Sequence, residues 1–438
     1  MSRLILNNAN VLDGESPGRR ATVIVSGERI EAVIEKAAGI DETAGAGPIA
    51  PDDRVVDLAG RTVMPGMAMC HYHASYQDLG LVPAPFGLDA PAALQAMRAA
   101  KHYRLLLDCG FTSAISAGAP HAIDPAMKAA IAEGTAAGPR IMACGRDVST
   151  TAHCNDMSYP AHWQIGATGG ISICDGPEGF RRAVRQEIKD GVEIIKIFAT
   201  GGHGVPAPAE QWQVSREELD MAIRTAAERG AKVRAHLANR AAILCAIELG
   251  IHIVDHGDGF DETCIAAAAR QGTFLAPSLH FPKMMMQVAP GTDYAEGMRA
   301  DFEAMAAILP AADAAGVRIL LGDDYGAMGF PHGLYAEELP LYVEAAGVSP
   351  LTVIRWATVN GAAAMGLADQ CGRIAPGMLA DFLVVDGDPA ANIRVLCDRA
   401  NLLAIFKGGA AHKDELHRIP AATQPAKAAD RAQATAST

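Results

Sequence analysis

A parallel (β/α)8 TIM barrel with a small β-sandwich domain built from both chain ends is the α/β fold that this 438-residue sequence predicts. Three observations carry that reading. Short apolar, β-branched runs alternate with helical periods eight times between residues 63 and 372. Strand patterns without helices flank them at both ends. Histidine, lysine and aspartate recur at the C-terminal tips of the predicted barrel strands, the end where such barrels place their chemistry.

At the N-terminus, "RLILNNANVLD" and "ATVIVSGERIEAVIE" read as strands, and Ser26-Gly27 within the second marks a hairpin. The stretch "KAAGIDETAGAGPIAPDD" is rich in Ala, Gly and Pro and reads as an exposed loop. Helix-free strand patterns return in "GRIAPGMLADFLVVDGDP" and "LLAIFKGG". Residues 1–62 and 373–415 are therefore expected to form the sandwich and 63–372 the barrel. Residues 416–438, polar and Ala-rich with two prolines, are expected to be a disordered tail.

The eight barrel runs are "VMPGMAMCHYH", "GFTSAIS", "RIMACG", "EIIKIFATGG", "KVRAH", "IHIVDHG", "TFLAPSL" and "VRILLGDD". Parallel strands need crossovers and are buried on both faces, which suits runs that are apolar at consecutive positions. Helical periods lie between most of them. One, "SREELDMAIRTAAERG", opens on Ser215 as N-cap with Glu in its first turn and closes on Gly230.

Composition narrows the function. Half of the residues are hydrophobic and 20% charged, ordinary for a globular chain able to build a large core. Aromatics make up 5%, so packing must rely on small and aliphatic side chains. A formal net charge of -13 argues against nucleic acid, because phosphate binding wants a basic face. The opening "MSRLILNNANVLDG" lacks a signal-peptide core, and no apolar run is long enough to span a bilayer. Nine cysteines without regular spacing do not read as a disulfide framework; Cys70, Cys144 and Cys245 fall in apolar elements, where a small buried hydrophobe is sufficient. The expectation is a cytoplasmic protein that acts on a small molecule.

The strand tips carry the chemistry. His71 and His73 close the first run, and at i and i+2 on a strand both rings project from one face. Lys196 lies among apolar residues of the fourth run, His236 ends the fifth, His256 the sixth, and Asp323-Asp324 the eighth. Convergent imidazoles are the start of a metal site, and barrel geometry would bring these groups to one mouth.

These features resemble the amidohydrolase superfamily of metal-dependent hydrolases over nearly the whole chain, from "VMPG" to "GRIAPGMLADFLVVDGDP". The Lys of "EIIKIFATGG", the paired "RAHLANRAAILCAIELGIHIVDHG" and the "GDDYGAMGFPHG" after strand eight look most like its prolidase-like branch, which cleaves dipeptides and N-acyl amino acids. The resemblance implies two divalent metal ions, zinc foremost. It implies that His71 and His73 hold the more buried ion, that His236 and His256 hold the second, and that Lys196, as N6-carboxylysine, bridges them. By the same resemblance Asp324 binds the first ion and serves as the base, His153 in "TTAHCND" polarises the scissile carbonyl, and the chain forms a homo-oligomer.

The residue types suit those roles. Neutral imidazoles bind zinc-class ions without cancelling their charge. A carbamate offers two anionic oxygens, and burial of a lysine favours the free amine that carboxylation needs. Two ions sharing a water lower its pKa, and a carboxylate can take the proton and pass it to a departing amine. Three departures stand out. Met69 occupies the place of the family's Asp before H-x-H, Asp323 replaces the Thr of G-T-D, and Ala238 stands where relatives carry a residue that touches substrate.

Around this set, Arg240 reads equally as a partner for a substrate carboxylate or as a surface arginine at a helix start. His203, His280, Tyr325 and His332 fall on strand-to-helix loops, either lining a substrate pocket or merely supporting it. The run "FPKMMMQ", with Met328 and Phe330, suits core packing or an apolar pocket wall. The leading expectation is hydrolysis of an amide in a small carboxylate-bearing molecule by a metal-bridging hydroxide. Open alternatives keep the site and change the substrate to a urea, carbamate or thiocarbamate, or make the enzyme a deaminase or lactonase. A ligand-free structural scaffold is disfavoured because all six ligand positions are filled.

Overall fold

The computed structural model describes residues 2–35, 48–77, 90–153, 156, 171–205, 207–327 and 330–419. Five strands precede the barrel: β1 (Arg3–Val11), β2 (Arg19–Ser26), β3 (Arg29–Glu35), β4 (Arg54–Asp57) and β5 (Thr62–Pro65). The β2–β3 hairpin turns where expected, with Ser26 paired to Arg29 and Gly27 at φ +57°.

Eight parallel strands then follow the predicted runs: β6 (Met67–Tyr72), β7 (Phe111–Ser116), β8 (Arg140–Met142), β11 (Ile194–Phe198), β12 (Lys232–Leu237), β13 (Ile253–His256), β14 (Phe274–Ala276) and β15 (Arg318–Ile319). Neighbours in this order are paired in parallel, through a Cys144–Ile194 bridge between the third and fourth. Cys70 N–H donates to the Leu321 carbonyl at 2.6 Å, which joins the last strand's continuation to the first and closes the ring. Ile115, Ile194, Ile253, Phe274 and Leu320 fill its interior, and a larger apolar layer lies between strands and helices. Two short strands, β9 (Asp147–Ser149) and β10 (Ile171–Ile173), add to the parallel sheet beside β11. At three residues each they are too short to leave a periodic pattern.

Ser215 caps the helix Arg216–Ala227 as its sequence indicates. Its side chain accepts from Glu218 N–H, and the Glu218 carboxylate accepts from Ser215 N–H.

Strands β16 (Phe382–Val385), β17 (Leu402–Lys407) and β18 (Ala410–Asp414) return to the N-terminal strands. All eight form one sheet in the order β18-β17-β16-β5-β1-β2-β3, with β4 beside β1. Its alternation divides the side chains between two faces. Phe382, Val384 and Phe406 join Leu6, Val23 and Val63 in a core of the sheet's own, whereas Leu383, Val385 and Ile405 pack toward the barrel. Leu416–Arg418 forms a 3-10 turn, and Leu416 and Ile419 are buried in the sheet's core, so these residues are not part of a disordered tail. The rest of that expected tail, 420–438, lies outside the described residues.

No helix among the described residues is long and apolar enough to cross a membrane. The eight described cysteines are free.

Candidate metal centre

His71 and His73 lie at the end of β6, and Asp324 follows β15, the strand that abuts β6 when the ring closes. That approach needs Gly322: at φ +148°, a Cβ there would stand 2.2 Å from the His71 backbone nitrogen. The result places Asp324 Oδ1 2.9 Å from His71 Nε2 and 3.4 Å from His73 Nε2. The His256 ring is centred 5.0 Å from that of His71 and 4.6 Å from that of His236. Two overlapping groups have ligand atoms within 4.8 Å of one another: His71, His73 and Asp324, and His203, His256 and Asp324.

The rings are held by their other nitrogens. His73 Nδ1 is 3.1 Å from the Gly118 carbonyl, His236 Nε2 is 3.1 Å from the Gly202 carbonyl, and His256 Nδ1 is 2.9 Å from Ser278 Oγ. Tyr76 stacks flat on His73, with ring centroids 4.1 Å apart. Burial lowers the pKa of each: His71 to about 4, His236 to about 3, His73 below its ordinary value and His256 well below it. These four imidazoles are therefore neutral lone-pair donors at neutral pH. Burial works against the Asp324 anion, but His71 and His73 hold it well below the usual carboxylate range. His203 is the exception. Burial opposes its cation too, yet Asp258 raises it to about 9.

Beneath the imidazoles is a buried ionic cluster that only the folded chain reveals. Arg234 donates to both oxygens of Asp255 and, through Nη1, to the carbonyls of Cys70 (2.8 Å) and Ser116 (3.0 Å). Lys196 Nζ donates to Asp255 Oδ2 at 2.7 Å. Asp255 Oδ1 is also 3.7 Å from His71 Nδ1, so a carboxylate from β13 stands beside the imidazole that follows Met69. The sequence signal for Arg234 and Asp255 is the one that marks Lys196, a charge inside an apolar strand.

The remaining expectations divide. Asp323 is not aimed at the imidazoles. Its carboxylate accepts the backbone N–H groups of His280 (3.0 Å), Phe281 (2.9 Å) and Asp324 (2.8 Å), which ties β15 to the start of the helix His280–Val288. Burial and the charge of Asp324 raise its pKa. His153 is buried, edge-on to Phe198, whose ring stacks on His236. His280 Nδ1 is 3.4 Å from Tyr325 Oη, and its ring packs edge-on against Phe330.

Three residues are not brought to the site. Arg240 is half exposed, pairs with Asp261 and donates to Thr263, because both residues lie at the start of the adjoining helix. Tyr325 is fully buried, and its hydroxyl lies 3.3 Å from the Tyr335 carbonyl and 3.4 Å from Glu338. His332 has both nitrogens engaged, by the Tyr335 hydroxyl and the Tyr76 carbonyl. Met285 of the methionine run is buried in the main core, and Met328 lies outside the described residues.

The donors fit a divalent ion. Neither ring nitrogen of His71 has an aligned hydrogen bond although both are buried, and His203 Nε2 is likewise buried without a partner. Such groups are costly unless a ligand takes their lone pairs. Neutral imidazoles with one carboxylate form a borderline donor set suited to zinc-class ions.

Comparison with known proteins agrees. Residues 62–411 match the amidohydrolase family model. Ochratoxinase of Aspergillus niger is 29% identical over 366 residues, 79% of this chain and 75% of that one. Its crystal structure matches with a TM-score of 0.82 at 26% identity over 94% of this chain and 96% of that one. A prolidase solved with n-methylphosphonate-L-proline also matches with a TM-score of 0.82, at 28% identity over 94% of this chain and all of that one. The strand-tip imidazoles, the aspartate after the last barrel strand and these likenesses agree: the chain belongs to the amidohydrolase family, on its prolidase-like branch, and is a metal-dependent hydrolase of small-molecule amides.

Proposed function

We propose that this chain cleaves an N-acyl amino acid, a dipeptide or a similar carboxylate-bearing amide at a centre for two zinc ions. One observation carries the reading: His71, His73 and His256 converge on Asp324, and His71 is buried with neither ring nitrogen in an aligned hydrogen bond. In this reading His71, His73 and Asp324 hold one ion, His236 and His256 the other, and Lys196, carboxylated on Nζ, joins them. Carboxylation, in which the free amine adds carbon dioxide and releases a proton, requires Nζ to leave its contact with Asp255, whose charge Arg234 then balances alone.

When bound, such ions supply Lewis acidity, polarising the scissile carbonyl and lowering the pKa of water toward neutrality. Asp324 accepts the proton of the attacking water and delivers it to the departing amine. His153 steadies the carbonyl oxygen as charge develops on it. Tyr76, stacked on His73, fixes the plane of that ring. The prolidase relative solved with n-methylphosphonate-L-proline supports a substrate with an amino-acid leaving group.

A second reading, a neutral urea, carbamate or thiocarbamate substrate, is favoured by one observation. Arg240, the residue expected to meet a substrate carboxylate, is turned toward Asp261.

The experiment follows release of free amino acid from a panel of N-acyl amino acids by the zinc-loaded protein, before and after chelation. Turnover that disappears with the metal and returns with zinc is expected. Cleavage of a phenylurea with no N-acyl amino acid turned over would move the assignment to the second reading, and no turnover of any amide would remove the first. The same proposal includes a sandwich domain from residues 1–62 and 373–415 on a barrel of 63–372, assembly into a homo-oligomer and a cytoplasmic location.

A further inference from the structure

We propose that His203 is an additional ligand of the second ion, making that position one imidazole richer than the set assigned above; the inference rests on that assignment of the site. His203 lies in the loop after β11 at φ +47°, and His256 likewise sits at φ +64°. A non-glycine residue in this region is uncommon, and such backbone clusters at functional sites.

The side chain is oriented as a ligand would be. His203 Nδ1 is 3.0 Å from both oxygens of Asp258. A carboxylate anion only accepts, so Nδ1 carries a hydrogen, and Nε2 is the atom presented to the site, where a bound ion takes the place of its proton. Nε2 is buried without a hydrogen-bond partner. His203 also belongs, with His256 and Asp324, to a group whose ligand atoms lie within 4.8 Å of one another.

This repeats the arrangement of the neighbouring histidines. His73 is anchored through Nδ1 by Gly118, His256 through Nδ1 by Ser278, and His236 through Nε2 by Gly202. One nitrogen fixed and the other free is how a metal-binding imidazole is held, and a carboxylate anchor such as Asp258 also raises its basicity as a ligand. The loop serves both histidines at once, since the Gly202 carbonyl holds His236 while the next residue is His203. A further nitrogen at the second position biases it toward zinc or copper and away from magnesium or calcium.

The test uses the full chain stripped of metal. Zinc is titrated against a chromophoric chelator, and cobalt(II) is followed by its visible absorption, in wild type, His203→Ala and Asp258→Asn. The first equivalent is expected to bind all three proteins alike. The second should bind His203→Ala at least about 10-fold more weakly, and Asp258→Asn about 10–100-fold more weakly. The cobalt spectrum of the second equivalent should change as well. Anomalous diffraction at the zinc edge on wild type, which needs no variant, should place an ion about 2.0–2.1 Å from His203 Nε2.

An unchanged second affinity and spectrum in His203→Ala overturns the inference, as does a wild-type ion map with no ion at His203. If His71→Ala loses metal while His203→Ala keeps both ions, only this inference falls. If the wild type binds no divalent ion, it falls together with the two-ion assignment.

Discussion

Where the two-ended sheet meets its surroundings, buried carboxylates are matched by partners. Asp53 meets Arg3 at 2.6 Å, and Asp381 meets Arg140 at 2.6 Å while also accepting the Gly408 N–H. At the barrel mouth, the equally buried ring nitrogens of His71 and Nε2 of His203 have no aligned hydrogen bond. These sheet carboxylates are matched within the chain, whereas these imidazole nitrogens are left open to a ligand. Between the two lies the Arg234–Asp255–Lys196 cluster, fully paired yet directly beneath the open imidazoles. Buried networks of this kind hold a geometry only if every member is matched.

That contrast predicts a ranking of substitutions. The largest effect belongs to Asp324→Asn, which should lower kcat about 10^3-fold on any substrate the protein turns over. It should also weaken zinc binding, and a loss of less than about tenfold in steady-state assays would deny Asp324 the role of base. Next is Arg234→Met, which leaves Asp255 with Lys196 alone. Urea denaturation of the metal-free protein should read a loss of about 3–5 kcal/mol, the cost of breaking a buried ion pair. A loss below about 1 kcal/mol, typical of exposed pairs, would mean that this cluster is not the support it is taken for.

Asp323→Asn should be milder. It keeps one acceptor for three backbone N–H groups, so about 1–3 kcal/mol should be lost by the same measurement, through the join of β15 to the following helix. The smallest effect is expected for Arg240→Ala. Its exposed contacts should leave stability within about 0.5 kcal/mol and KM unchanged. A marked rise in KM for carboxylate substrates alone would return Arg240 to the site and sharpen the choice between the two substrate classes.

Much of the barrel was legible because parallel strands buried on both faces must be apolar at consecutive positions, and eight such runs stand out from the amphipathic helices between them. His71 and His73 were legible for a related reason: a period of two on a strand puts both rings on one side, whatever the rest of the chain does. The choice of Asp324 over Asp323 came from the family resemblance, not from periodicity. Adjacent residues leave a strand end in opposite directions, and only the packing of β15 against β6 and the helix at His280 decides which carboxylate caps backbone and which meets imidazole. Arg240 was undecided for the opposite reason, since a long exposed side chain goes to its nearest anion, here Asp261, which precedes the adjoining helix.

From the chain alone came the order of strands and helices, the spacing of the imidazoles and the family to which they point, because periodicity and residue chemistry are local properties. The pairing of Asp255 with Arg234 and Lys196, and the orientation of His203 by Asp258, needed the closed ring. These contacts join different strands and the loops that follow them. Which charge meets which is set by the direction each side chain takes into a crowded, water-poor interior, and sequence distance carries no record of that direction.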